Sequence, residues 1–90
     1  MFGLARRPAV TIYTTPGCAA CAAVKRYLDS KEVRYRELDV ATCDRHLADM
    51  VRASGVRIAP VTVVGSEAFY GDFGRQRPLL EAALKRARLL

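Results

Sequence analysis

Two cysteines stand three positions apart in the run Thr14-Thr15-Pro16-Gly17-Cys18-Ala19-Ala20-Cys21. On a helix, residues with this spacing share a face. Their Cα atoms then lie roughly 5–6 Å apart, a separation that admits a disulfide without moving the backbone. The chemistry on offer is reversible: a dithiol that closes to a disulfide and opens again by exchange. As a structural staple the bond would add only about 2 kcal/mol, because the loop it closes is so short. Position adds to spacing. The residues before Cys18 break a strand pattern and those after it follow a helical one, so Cys18 falls at a helix start. Unpaired N–H groups and positive partial charge gather there. A cysteine so placed has its thiol pKa lowered from about 8.5 into a range of roughly 3.5–7.5. Cys18 is therefore expected to attack. Cys21, one turn deeper and more buried, is expected to resolve the mixed disulfide by attacking Cys18. Ala19 and Ala20 neither add a cation nor obstruct access.

The third cysteine, Cys43, stands alone, and an odd count does not fit the closed disulfide framework of a secreted miniprotein. Cys18, Cys21, Cys43 and His46 form C-x2-C, twenty-one residues, C-x2-H. Cys₃His is a known zinc set, so a metal-stapled binding module is the alternative from a different class. Against it, the first pair opens a helix inside a strand-helix-strand unit, the apolar pattern can fold without metal, and the second helix is expected on the opposite sheet face. No metal site is expected. Cys43 reads as a small, partly buried residue near a helix start, the sharper alternative being an oxidisable regulatory thiol. His46 reads as a surface or satisfied helix residue.

The elements that must position the pair follow from hydrophobic period. Ala9–Tyr13 reads as a strand, and Thr14–Gly17 breaks it. From Cys18 to about Ser30, Ala20, Ala23, Val24, Tyr27 and Leu28 recur on one helical face. Val33–Val40 alternates as a second strand. Thr42 or Asp44 is expected to cap a helix carrying Leu47, Met50 and Val51, which Gly55 stops. Val61–Val64 and Glu67–Tyr70, joined at Gly65-Ser66, read as a hairpin. Gly71–Gln76 reads as a loop, and Pro78 as the first turn of a last helix with Leu80, Ala83, Leu84 and Ala87 on its core face. Tyr13 and Tyr70 are expected either at the rim of a groove or in the core. The order β-α-β-α-β-β-α implies an α/β domain: one parallel unit, one antiparallel hairpin, and a four-stranded mixed sheet with helices on both faces.

Ninety residues suffice for one domain, expected to span 1–90. The longest uncharged stretch, Pro8 to Val24, contains Thr11, Thr14, Thr15, Pro16 and Gly17 and cannot be one membrane helix. Arg6-Arg7 is followed by no apolar signal core, so a cytoplasmic location is expected. The net charge of +6 is spread along the chain. Without interleaved aromatics or a nucleic-acid motif it reads as a solvated surface, with attraction to an acidic protein partner as the sharper reading. No nucleic-acid or membrane partner and no NADPH-binding motif are expected, so electrons must come from a partner protein or thiol.

The Thr14–Cys21 run after an Ile-Tyr strand end resembles the active-site segment of glutaredoxins, and Ile58-Ala59-Pro60-Val61 resembles that family's Thr-Val-Pro segment. The resemblance covers roughly Val10 to Leu84. It implies a thioredoxin fold, a monomer, and a dithiol–disulfide oxidoreductase with no bound cofactor, acting on protein or glutathione mixed disulfides. It implies Cys18 and Cys21 as the catalytic pair. Pro60 would be cis and face them, and Ala59 would pair its backbone with extended substrate or glutathione. Pro16, Gly71 and Asp72 would complete the substrate or glutathione site.

Departures from the family pattern bear on the reductant. Glutathione-using members carry a lysine where Thr15 stands, and a Gly-Gly with paired acids where this chain has Tyr70-Gly71-Asp72-Phe73-Gly74-Arg75. Lys25-Arg26, Pro60-Val61 and the interrupted series Gly71, Phe73, Arg77-Pro78 resemble instead the glutaredoxin-like redoxins that reduce ribonucleotide reductase and draw electrons from thioredoxin reductase. Both reductants stay open at this point. Some glutaredoxins also bridge an iron–sulfur cluster through the first cysteine and added glutathione. A Cys18 thiolate has the chemistry for that, whereas Pro16 and the thin glutathione clamp disfavour it.

Overall fold

Strand alternation decides the architecture. In β1 (Val10–Thr14), Val10 and Ile12 point to one face of the sheet and Tyr13 to the other. The computed structural model describes residues 8–90; Arg6 and Arg7, where no signal segment is expected, lie outside them. After β1 come α1 (Ala19–Ser30), β2 (Arg36–Asp39), α2 (Asp44–Ser54), β3 (Val61–Val64), β4 (Glu67–Tyr70) and α3 (Phe73–Arg86). The strands form one sheet in the order β2-β1-β3-β4, with β1 and β2 parallel and the other pairs antiparallel. This is the mixed four-stranded α/β sheet that the element order implies.

The sheet has a core on each face. On one, Val10, Ile12 and Val64 meet Val24 and Leu28 of α1 and Leu80 and Leu84 of α3. Tyr27 and Phe73 carry the helix–helix contact with ring centroids 5.6 Å apart. On the other face Tyr13, Val40 and Val61 meet Met50 of α2. Each fully buried aliphatic side chain of this kind stabilises by about 1.5–3 kcal/mol relative to exposure, so the two layers fix the sheet under the dithiol. Tyr13 is thus a core residue, while Tyr70 stays 43% exposed.

Four local expectations need correction. The second strand begins at Arg36 instead of Val33, because Val33 leaves the strand line to pack into the α1–α3 core. The residue before α2 is Cys43, not Thr42 or Asp44, and its side chain makes no capping bond; Asp44 supplies the acidic first turn instead. The third helix begins at Phe73, so most of the expected Gly71–Gln76 loop is helical, and Pro78 falls in the second turn. Asp72 starts that helix by accepting the Arg75 N–H at 2.8 Å. Gln76 occupies the core position one turn before Leu80, while Ala87 is exposed. Among the described residues, no helix is long and apolar enough to cross a membrane.

Candidate active site

The site is built where β1 ends. Gly17 takes φ +71°, a conformation that a side chain resists, and turns the chain from β1 into α1. Cys18 then stands in extended backbone as the residue before the first helical turn. Its Sγ accepts the Cys21 N–H at 3.0 Å, the bond an N-terminal cap makes, here with sulfur in the place of oxygen. No acidic side chain occupies the first turn of α1. The unpaired N–H groups and the dipole therefore act on the sulfur with no opposing carboxylate in that turn.

The cysteines differ as their placement requires. Cys18 is half-buried, whereas Cys21 is 2% exposed and belongs to the buried stripe of α1. Their Cα atoms are 5.2 Å apart and their sulfurs are joined. One sulfur is accessible to a substrate; the other is held behind it within bonding reach.

Two cavities border the first turn of α1, one lined by both cysteines and the other by Ala20 between them. One is an apolar groove of about 600 Å³ where Ala20 meets Ile58, Ala59, Pro60, Gly71 and Asp72. The Ala59–Pro60 peptide bond is cis. Ile58 on this groove is 78% exposed. The groove gathers four of the residues that the glutaredoxin resemblance singled out: Ala59, Pro60, Gly71 and Asp72. The fifth, Pro16, lies apart from them, on the second cavity. There Cys18 and Cys21 share walls with Thr14, Lys25, Glu37 and Asp39. The Lys25 Nζ donates to Glu37 Oε2 at 3.0 Å, and the Thr14 hydroxyl donates to the same oxygen at 2.9 Å. These bonds, Lys25 first, hold the Glu37 carboxyl below its ordinary pKa.

The groove has a support that sequence reasoning missed. Gln76 is fully buried. Its Nε2 donates to the carbonyl oxygens of Pro60 and Gly71, and its Oε1 accepts from the Thr62 hydroxyl. One side chain thus ties together the two segments that form the groove walls. A glutamine four residues before Leu80, on the stripe that continues through Leu84, was the available signal.

Cys43 and His46 do not join the dithiol. His46 Nδ1 lies 3.1 Å from the Asp39 carbonyl oxygen. Among the described residues, no three His, Cys, Asp or Glu side chains converge in a metal-holding group. The Cys₃His arrangement that the spacing allowed is therefore not assembled here.

Residues 10–69 match the family model described as Glutaredoxin. The glutaredoxin-like protein NrdH of Salmonella typhimurium is 34% identical over 62 residues, 69% of this chain and 75% of that protein. The Gene 56 protein of Mycobacterium phage D29 is 35% identical over 52 residues, 54% of this chain. Against the phage protein the chain spans 58%, less than two thirds of its length. Among solved structures, the glutaredoxin-like NrdH-redoxin of Escherichia coli superposes with a TM-score of 0.60 at 31% identity, covering 69% of this chain and 80% of that one. The strand order, the dithiol at the head of the first helix and these matches together give a thioredoxin fold, and the chain belongs to the glutaredoxin family.

Proposed function

We propose that this chain is an electron-carrying dithiol–disulfide oxidoreductase that reduces disulfides in proteins. The observation that carries the proposal is the asymmetry of the pair: Cys18 half-buried at the helix start with an N–H on its sulfur, Cys21 buried one turn behind. The Cys18 thiolate attacks one sulfur of a substrate disulfide. A Cys18–substrate bond forms and the other substrate sulfur leaves as a thiolate, taking up a proton. Cys21 then loses its proton and attacks Cys18 Sγ. The intramolecular disulfide forms, the second substrate thiol is released, and two electrons have passed to the substrate. The Ala59–Pro60 groove would receive the extended chain around the substrate disulfide, with Ala59 offering backbone hydrogen bonds.

Thioredoxin reductase is the favoured source of electrons, with ribonucleotide reductase the favoured acceptor. Glutathione recognition would need cationic and acidic groups at the groove. Thr15, on the other cavity, supplies no charge, and at the groove Arg57 stands with a single carboxylate, Asp72, whose Oδ1 is already engaged by the Arg75 N–H. The likeness to NrdH points the same way, and the E. coli NrdH-redoxin is described as having a thioredoxin-like activity profile. A cytoplasmic location, where thiols are kept reduced, suits this chemistry.

The test is one disulfide-reduction assay run in two couplings. One supplies NADPH with thioredoxin reductase, the other NADPH with glutathione reductase and glutathione. Turnover mainly in the first supports the full reading. Turnover mainly in the second reverses the choice of reductant, and turnover in neither removes the oxidoreductase.

A further inference from the structure

The cavity on the Pro16 side of the dithiol is walled by charge, unlike the apolar groove. Lys25 comes from α1, one turn after the wall residues Cys21 and Ala22, and Glu37 comes from β2. In the parallel register Glu37 stands opposite Ile12 and Asp39 opposite Thr14, so both carboxylates fall on the sheet face that α1 covers. Other charged groups near the pair are Asp39 on this side and Arg57 and Asp72 across the groove. Asp39 Oδ1 accepts the Ala41 N–H, anchoring the loop after β2, and Asp72 Oδ1 accepts the Arg75 N–H, capping α3. Lys25 and Glu37 are bound to one another inside a cavity that both cysteines also line.

We infer that the Lys25–Glu37 pair is a charge balance that sets the acidity of the Cys18 thiol and, through it, the reducing strength of the dithiol. A lone ammonium in this cavity would favour the thiolate, and a lone carboxylate would oppose it. Bound together they largely cancel, leaving the helix start and the Asp39 carboxylate as the remaining influences on the sulfur. Glu37 thus acts as a positioning residue for Lys25, with the Thr14 hydroxyl fixing the carboxylate from below. The inference rests on the redoxin reading above and adds two residues that tune it.

It requires shifts of opposite sign. Glu37→Gln releases an unopposed ammonium beside the sulfurs and lowers the Cys18 thiol pKa. Lys25→Met leaves an unopposed carboxylate and raises it. Each shift is on the order of half a pH unit, since both side chains are partly exposed and screened. The double variant returns close to the parent value. Because a more acidic thiol stabilises the reduced form, the dithiol of Glu37→Gln becomes more oxidising and that of Lys25→Met more reducing.

The measurement is the site-resolved alkylation rate of Cys18 against pH in fully reduced protein, paired with the redox equilibrium of each variant against a reference dithiol. Neither readout depends on a substrate or on a reductase. Opposed shifts with restoration in the double variant support the inference. Two unmoved profiles, or two moved the same way, overturn it. A parent protein whose Cys18 titrates as an ordinary thiol removes the redoxin reading itself, so the two failures are separate results.

Discussion

The Gln76 side-chain amide donates to the carbonyl oxygen of Pro60 at 3.1 Å, tying α3 to the wall of the groove beside the dithiol. The same nitrogen donates to the Gly71 carbonyl oxygen at 3.0 Å, and the Gln76 oxygen accepts the Thr62 hydroxyl at 2.8 Å. All of this happens on a fully buried side chain. Gln76→Leu keeps the volume but leaves a hydroxyl and two carbonyl groups without their partner. Leaving a buried polar group unpaired costs about 1–3 kcal/mol; with the Thr62 and Pro60 bonds buried and the Gly71 bond only partly so, we expect a loss of about 2–6 kcal/mol in denaturant unfolding. Disulfide-reduction assays should also show a raised KM, since both groove walls lose an anchor. A change below about 0.5 kcal/mol, the size of an ordinary surface substitution, would show that these groups find other partners.

The legible part of this molecule was periodic. The α1 stripe, the β3–β4 hairpin and the cysteine spacing follow repeating rules, and they appear where the residue pattern places them. The beginning of α3 was not legible because Gly71, Gly74 and Pro78 all argue for a loop, while one capping carboxylate at Asp72 and one buried amide at Gln76 argue the other way. Tertiary burial of Gln76 settled the contest, and no local rule contains that. The Lys25–Glu37 pair was hidden for a related reason. Its partners are twelve residues apart and meet only through the β1–β2 register.

Gly71 is held at φ +102°, and a Cβ built there would lie 2.7 Å from Arg75 Cδ. Two costs are separable. The Arg75 side chain can swing aside, giving up its place over the Tyr70 ring, but the backbone cannot change without moving the groove wall. Gly71→Ala should therefore lose about 1–3 kcal/mol, the range for a strained backbone conformation. The loss should persist when Arg75 is also replaced by alanine. Full recovery in that double variant would place the whole cost in the side-chain clash.

Cys18→Ser should abolish disulfide reduction, because the oxygen cannot take the sulfur's part in exchange. Cys21→Ser should start the reaction and stop at the mixed disulfide, detectable by mass as a substrate adduct on Cys18. The accessible position of Cys18 and the 2% exposure of Cys21 set this order. Equal activity in the two single variants would contradict the separate roles.

The thiolate of Cys18 should form well below about pH 8.5, the value for an unperturbed cysteine. The helix start, the Cys21 N–H and the lack of an acidic first turn all act in that direction. Replacing Ala19 by Asp places a carboxylate in that first turn and should move the alkylation profile upward. A profile that ignores this substitution would mean that the helix start does not control the sulfur.

Glu37 gives the stability curve an acid-side feature of known sign. The Lys25 hydrogen bond, the largest influence, outweighs the opposing effect of burial and lowers the carboxyl below its unfolded value of 4.5. Fewer protons are then bound by the folded state near that value than by the unfolded state, so stability rises with pH there. The contribution is complete above about pH 4.5 and disappears as pH falls through the lower folded-state value. With side-chain exposures of 31% and 41%, the pair should be worth no more than about 1 kcal/mol. Unfolding free energies of parent and Lys25→Met should therefore differ most near neutral pH and converge in acid. A gap between them that stays constant from about pH 6 to about pH 3 would mean that Lys25 stabilises by packing its stem rather than by pairing with the Glu37 carboxylate.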